Sequence, residues 1–198
     1  MSPTPEVRAD TVQIVAGSTA TGSTAAGHHA AGSTSLALVR QLRFCAGHRL
    51  WRHESKCAYL HGHNYRVDVE VVAAAGATAV DHVGRIVDFS LIKRRLLGWL
   101  DDHWDHAFIL FADDAEAIAA VRLSTPSKLF LLPWNPTAEN MARYLLEVVC
   151  PAVLDDLGVI ARQVSVWESD ESCAIATRTG PLPADATPPG TAEIVDHR

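Results

Sequence analysis

The chain has 198 residues, 48% of them hydrophobic and 20% charged, which is enough for one folded domain with a sizeable core. Its formal net charge of −6 and its lack of a Lys/Arg cluster argue against nucleic acid as a partner. No apolar run approaches the roughly 18 residues of a membrane span, and the first ten residues do not resemble a secretion signal. We therefore expect a cytoplasmic protein with no membrane partner, whose four scattered cysteines are free thiols.

Both ends of the chain have compositions typical of segments without a packed core. Residues 16–35 are a near-repeat of Gly, Ser, Thr and Ala, and residues from 179 onward are rich in Pro and Gly. We predict a disordered low-complexity tail over 1–36, a folded domain over 37–178 and a flexible C-terminal tail over 179–198. His28 and His29 lie in the first tail, where a flexible segment would not preorganise them for a metal.

The hydrophobic pattern between the tails predicts both strands and helices. In chain order we predict strands at 36–44 and 65–73, an extended piece at 84–89, a helix at 91–100, an extended piece at 127–132, a helix at 137–157, and strands at 159–168 and 172–178. Ser90 is the predicted N-cap of the first helix, and Thr137-Ala-Glu-Asn140 opens the second. Alternating strands with short connections indicate the α+β class, with an antiparallel sheet covered on one face.

Three histidines have the spacing of a catalytic metal site. His61 and His63 flank Gly62, and side chains two apart on a strand project to the same face. His48 lies upstream, at the end of an apolar run. Three imidazoles leave one tetrahedral position of Zn²⁺ open, as a catalytic site requires. The alternatives are that His48 is a buried histidine bonded to the backbone, or that His53, in a polar loop, is the third ligand.

Cys57 follows Lys56 and lies four residues before His61, in a loop rather than in an apolar stripe. A nearby cation and Zn²⁺ would lower the pKa of the thiol and raise the thiolate fraction. Cys57 is therefore a candidate base or nucleophile. The alternative is a fourth, structural zinc ligand that would close the site.

Four carboxylate-containing motifs offer further acid–base or binding groups. Asp105 precedes His106, and a carboxylate beside an imidazole can hold its tautomer. Residues 101–103, Asp-Asp-His, offer a similar pair, and spacing alone does not choose between them. Glu139 is expected in a helix N-terminal turn, where it could simply stabilise the helix start, and Glu168 at a strand end, where it could simply be solvated.

Six motifs resemble, in order, those of the 6-pyruvoyl-tetrahydropterin synthase superfamily. They are Phe44-Cys-Ala-Gly-His-Arg-Leu50, Cys57-Ala-Tyr-Leu-His-Gly-His-Asn-Tyr65, Val87-Asp-Phe89, Trp104-Asp-His106, Asn135-Pro-Thr-Ala-Glu-Asn140 and Val166-Trp-Glu168. The resemblance implies the tunnelling fold (T-fold), with a four-stranded antiparallel sheet, two helices on one face and assembly into an oligomeric barrel. It also implies trimers that pair into hexamers, with active sites between subunits.

The Cys-x-x-x-His-Gly-His spacing is most similar to the 6-carboxy-5,6,7,8-tetrahydropterin synthase branch, whose product leads to 7-deazapurines such as the queuosine precursor. The resemblance implies that 7,8-dihydroneopterin triphosphate loses triphosphate and acetaldehyde. The roles it implies are Zn²⁺ binding by His48, His61 and His63, proton transfer by Cys57, Asp105 and His106, pterin anchoring by Glu168, and lining of the pterin pocket by Thr137, Ala138 and Glu139. Ala138 replaces a hydroxyl residue of some relatives, which leaves one hydrogen bond in question.

Three other functions remain open at this point. Two are enzymes of the same family, one forming pyruvoyl-tetrahydropterin and one cleaving the pterin side chain by an aldol-type reaction. The third is a zinc- or pterin-binding module without turnover, against which the acid–base set argues. Lys56 and Arg49 are basic candidates for binding the triphosphate.

Overall fold

The computed structural model describes residues 35–180 and the strand Ile194–His197. Most of the low-complexity segment 1–36, including His28 and His29, lies outside the described residues, as do residues 181–193 of the predicted C-terminal tail. None of the helices in the described part of the chain has the length and apolar character that crossing a bilayer demands.

Within the described residues, seven strands form one sheet in the order β6-β5-β2-β1-β3-β4-β7. Their bounds are β1 Leu38–His48, β2 His61–Ala73, β3 Ala107–Phe111, β4 Ser127–Leu132, β5 Val159–Trp167, β6 Cys173–Thr177 and β7 Ile194–His197. The four neighbours β6, β5, β2 and β1 are antiparallel. The predicted four-stranded antiparallel sheet is thus one part of a larger mixed sheet, because β3 and β4 extend it in parallel.

Strands β1 and β2 form the centre of the sheet and place His48 opposite His61. Both strands reach further towards this end than the pattern predicted, since β1 continues to His48 and β2 begins at His61. Buried and more exposed residues alternate along the shared part of the pair, so one face turns towards the core. Phe44 and Tyr65 stack on that face with ring centroids 4.9 Å apart.

Two helical segments pack on this face of the sheet and enclose the main core. Helix α1 spans Phe89–His103 and buries Ile92, Leu96 and Leu100. Its N-cap is Asp88, whose carboxylate accepts from the Ser90 N–H, so the predicted Ser90 cap was displaced by two residues. An extended piece was predicted at 84–89. Residues 84–88 are bends and irregular backbone rather than a strand, and Phe89 begins α1.

The second segment begins with α3, Ala138–Tyr144, capped by Thr137, and continues through a π-helical turn into α4, Cys150–Leu154. The turn ends two residues before Pro151, which has no N–H to donate to the preceding helical turn. This segment confirms the helix predicted after Pro136.

A short helix, α2, lies on the opposite face of the sheet, over the parallel strands. It spans Ala115–Arg122 and buries Ala117, Ile118 and Val121 against Leu110 and Leu129. The sequence did not predict α2, β3 or β7. The α+β class is confirmed, but the helices in this part of the chain cover both faces of the sheet rather than one.

Candidate active site

The three predicted metal ligands converge at one end of the β1–β2 pair. The possible ligand atoms of His48, His61 and His63 all lie within 4.8 Å of one another, and this is the metal-binding cluster found among the described residues. His53 is not part of it. Gly62 allows the close approach of the strands, because a Cβ there would lie 2.9 Å from the Ala46 carbonyl oxygen.

Two carbonyl groups fix the tautomers of these histidines. The Nδ1 atom of His48 lies 2.8 Å from the Pro136 carbonyl oxygen, and that of His61 lies 2.8 Å from the Tyr59 carbonyl oxygen. A carbonyl only accepts, so in both rings Nδ1 carries the proton and Nε2 presents its lone pair. These two Nε2 atoms are 3.0 Å apart. Two facing lone pairs are unfavourable unless a cation lies between them, so the residues fit a metal ion.

Burial favours the neutral form of His48 and of His63. His48 is 2% exposed, and burial, together with the neighbouring histidines, lowers its pKa from 6.5 to about 4. Burial also lowers the pKa of His63, although the Glu168 carboxylate opposes this. A metal ligand must be unprotonated, so both effects favour metal binding at neutral pH.

A cavity of about 380 Å³ adjoins the histidine cluster and contains most of the other predicted site residues. Its lining includes His48, Cys57, Thr137, Ala138, Glu139 and Glu168. Cys57 lies in a single 3₁₀ turn, Lys56–Ala58, and is partly exposed. Its sulfur is not part of the described histidine cluster, which favours a role beside the metal over that of a fourth ligand.

The two carboxylates of the cavity come from different elements. Glu139 belongs to the first turn of α3, and Glu168 directly follows β5. Burial raises the pKa of Glu168, and Glu139 adds to this, while His63 and His61 oppose it. Glu168 is therefore not simply a solvated strand end. A desolvated carboxylate gains most from a ligand that donates N–H groups to it.

Asp105 and His106 form the predicted pair but do not line this cavity. His106 donates from Nδ1 to the Asp105 carboxylate at 2.7 Å, and Asp105 also accepts from the Cys45 N–H at 2.8 Å. Burial opposes ionisation of Asp105, yet these hydrogen bonds keep its pKa below the ordinary value. His106 is 80% exposed and lines a second cavity of about 440 Å³, whose lining also includes His61, His63, Cys45 and Asn64.

The histidine cluster borders both cavities, since His48 lines the first and His61 and His63 line the second. Cys45 and Asn64 lie opposite each other and their side chains bond across the strands, whereas His48 and His63 project to the other face. The rival Asp-Asp-His motif at 101–103 belongs to α1, where His103 bonds to a helix carbonyl and stacks on Trp99. That motif forms no acid–base pair.

Sequence reasoning missed several groups that shape the cavity. Asn135 accepts from the Trp51 N–H at 2.7 Å and donates to the Trp51 carbonyl at 3.1 Å, so it ties the loop before Cys57 to the start of α3. His53, Ser172 and Cys173 also line the cavity. The Asn135-Pro136 motif was a usable signal for the first contact. His53 was considered only as an alternative metal ligand, and nothing local pointed to Ser172 and Cys173.

The family model for 6-pyruvoyl tetrahydropterin synthase matches residues 37–179. The chain belongs to this family. It is 35% identical over 130 residues to the 6-carboxy-5,6,7,8-tetrahydropterin synthase of Rickettsia bellii, covering 66% of this chain and 91% of that one. The enzyme of the same name from Haemophilus influenzae is 29% identical, with 67% and 92% covered. This chain is therefore an enzyme of the pterin synthase type.

Solved structures support the fold assignment. An uncharacterized protein from Wolinella succinogenes superposes with a TM-score of 0.60 at 22% identity, covering 74% of this chain and all of that one. The 6-pyruvoyltetrahydropterin synthase of Plasmodium vivax superposes with a TM-score of 0.54 at 20% identity, covering 74% and 99%. The predicted T-fold is confirmed.

Proposed function

We propose that this enzyme converts 7,8-dihydroneopterin triphosphate and one water into 6-carboxy-5,6,7,8-tetrahydropterin, acetaldehyde and triphosphate. The observation that carries the proposal is the cavity that joins Cys57 and Glu168 to the histidine cluster. Relatives named for this activity add support, since they match over most of their length. The product would serve 7-deazapurine synthesis, including the queuosine precursor.

We propose that Glu168 anchors the pterin ring. A carboxylate can accept from two neighbouring N–H groups at once, as the 2-amino group and ring N–H of a pterin present them. Thr137, Ala138 and Glu139 line the same cavity and would contact the ring. Because the Thr137 side chain already caps α3, its backbone is held in a fixed position for this contact.

The histidine cluster fits Zn²⁺, held by His48, His61 and His63. When bound, zinc would supply Lewis-acid stabilisation of negative charge on the oxygens of the substrate side chain. Cys57 would take a proton from that side chain as thiolate. His106 would transfer the second proton from Nε2, because Asp105 holds the proton on Nδ1.

We propose that the complete site forms between subunits of a homo-oligomer, a trimer or a hexamer. In one chain Cys57 and His106 line different cavities, the first beside His48 and the second beside His61 and His63. Proton transfer requires contact distances, and a second copy would bring its His106 to the Cys57 cavity. We place the enzyme in the cytoplasm, where Cys57 would remain reduced.

The direct test is incubation of the zinc-loaded protein with 7,8-dihydroneopterin triphosphate and identification of the pterin by mass spectrometry. We expect the carboxypterin with equimolar acetaldehyde. Pyruvoyl-tetrahydropterin would reassign the enzyme within its family, and a hydroxymethylpterin would indicate aldol-type cleavage. Stoichiometric pterin binding without any product would instead support a binding module.

A further inference from the structure

The substrate cavity is acidic, although the substrate proposed for it carries a triphosphate. Glu139 and Glu168 both line it, and no Lys or Arg side chain lines it in the described part of the chain. Two carboxylates repel a polyanion, so binding needs at least one donor directed at the phosphate oxygens.

The basic side chains nearest in sequence to the cavity are otherwise engaged or lie outside its lining. Arg49 bonds to the buried Asp114 carboxylate at 2.5 and 2.6 Å and to Glu116 at 3.0 Å. Arg52 lies over the Trp51 ring at 3.9 Å. Lys56 is exposed and does not line the cavity. The expectation that Arg49 binds triphosphate therefore loses its support, because its guanidinium holds α2 in place.

His53 lines the cavity together with Cys57. The Leu50 N–H donates to the Cys57 carbonyl at 2.8 Å and so closes the loop that carries His53. The backbone N–H of His53 donates to the Leu50 carbonyl at 3.2 Å. Its Nδ1 accepts from the Ser55 N–H at 3.0 Å. In the neutral ring this places the proton on Nε2, which is then a donor in either protonation state.

We infer that His53 binds the triphosphate of the substrate through Nε2–H. The inference rests on the proposed function, and it adds a binding residue outside the metal cluster and the proton-transfer set. His53 is suited to this position because it donates to phosphate oxygens without a permanent positive charge. Once triphosphate leaves, this single donor holds it less strongly than the bidentate guanidinium of an arginine would.

The test is calorimetric titration of the zinc-loaded full chain with two probes, inorganic triphosphate and neopterin without phosphate. His53→Ala should weaken triphosphate binding about tenfold or more, as expected for loss of a hydrogen bond to a charged group, and change neopterin binding less than about twofold. His53→Gln, which keeps an N–H donor, should recover most of the triphosphate affinity. His82→Ala, in an exposed loop, is the matched histidine control. The zinc content measured after each titration shows whether triphosphate bound to the protein or removed its zinc by chelation.

Unchanged triphosphate affinity in His53→Ala would overturn the inference, as would equal weakening of both probes, which indicates a general disturbance of the cavity. Wild-type protein that does not bind triphosphate would overturn it as well. Failure of the proposed function has a different signature, because neopterin would then not bind and no pterin product would form, while the effect of His53→Ala on triphosphate could still be measured.

Discussion

At the scale of single residues, the histidine cluster depends on backbone carbonyls as much as on the histidines. The Pro136 and Tyr59 carbonyls hold the Nδ1 protons of His48 and His61, which leaves two lone pairs 3.0 Å apart. The three side chains differ in how far the fold depends on them. His48 is buried, whereas His61 and His63 are partly exposed.

His63→Ala should lose zinc and activity while the fold survives. Two remaining imidazoles make a poor site for Zn²⁺, and truncating a partly exposed side chain removes little core packing. Mass spectrometry of the metal content, combined with circular dichroism, would measure both effects. His82→Ala serves as the control and should retain full zinc. Stoichiometric zinc in His63→Ala would refute the ligand assignment.

Cys57→Ala should keep zinc and bind pterin, yet lose roughly 10² to 10⁴ in the single-turnover rate, as expected for removal of a positioned base. Cys150→Ala is the matched control. Burial raises the pKa of the Cys150 thiol to about 12, so this thiol stays protonated and unreactive. A zinc-depleted Cys57→Ala protein would reveal a structural ligand instead. Normal turnover with full zinc would reject both roles.

The metal-free protein should lose stability as the pH falls from about 6.5 towards 4. His48 binds a proton near pH 6.5 when unfolded but only near pH 4 when folded, so its contribution is present above 6.5 and declines below it. The shift corresponds to stability on the order of 3 kcal/mol, and His63 contributes in the same direction. Urea unfolding in EDTA across this pH range measures the effect. A His48→Leu variant with the same pH dependence would contradict this assignment.

At the scale of secondary-structure elements, the site depends on how closely β1 and β2 approach. Gly62 lies between the two ligand histidines of β2, opposite Gly47 of β1. A Cβ at Gly62 would meet the Ala46 carbonyl oxygen at 2.9 Å, and backbone cannot move aside as a flexible side chain can. The glycine of the His-Gly-His motif is therefore a packing requirement of the strand pair.

Gly62→Ala should destabilise the protein by roughly 1–3 kcal/mol and weaken zinc binding, because the ligand end of β2 must shift away from β1. The matched control is Gly98→Ala in α1, where an added Cβ meets nothing within 4 Å. This control should gain about 0.5–1 kcal/mol, since alanine loses less backbone entropy in a helix. Urea unfolding and zinc titration of both variants provide the measurements. Equal stability changes in the two variants would show that strand approach is not limiting.

At the scale of the whole molecule, the described part of one chain does not place the complete acid–base set around one cavity. Cys57 and Glu168 line the cavity beside His48, whereas His106 is exposed and lines a second cavity with His61 and His63. Isolated surface pairs such as Asp105–His106 contribute little to stability, so their arrangement favours a functional role over a structural one.

Mixing Cys57→Ala and His106→Ala chains should restore activity if the site is shared between copies. In randomly mixed oligomers about a quarter of the sites would combine an intact Cys57 with an intact His106 of a neighbour, so activity should approach about a quarter of the wild-type value. Co-expression with two different affinity tags, followed by tandem purification and turnover assay, tests this. Each variant alone is the control. Mixed oligomers as inactive as the single variants would place both residues in one subunit's site.

The sequence by itself determined the features that depend on local spacing. Alternation along a strand placed His61 and His63 on one face, the helical period located α1 and the segment after Pro136, and the order of six motifs identified the family. These predictions succeeded because strand and helix periods fix the relative direction of side chains that are close in the chain.

The tertiary structure decided everything that depends on the path between distant segments. The parallel addition of β3 and β4, the short helix α2 and the pairing of Ile194–His197 with β4 have weak local patterns, since each element is only four to eight residues long. The Pro136 carbonyl reaches His48 across 88 positions of sequence. His53 enters the cavity, and His106 lies outside it, because loop closure and strand pairing set those positions, and neither can be read from the spacing of neighbouring residues.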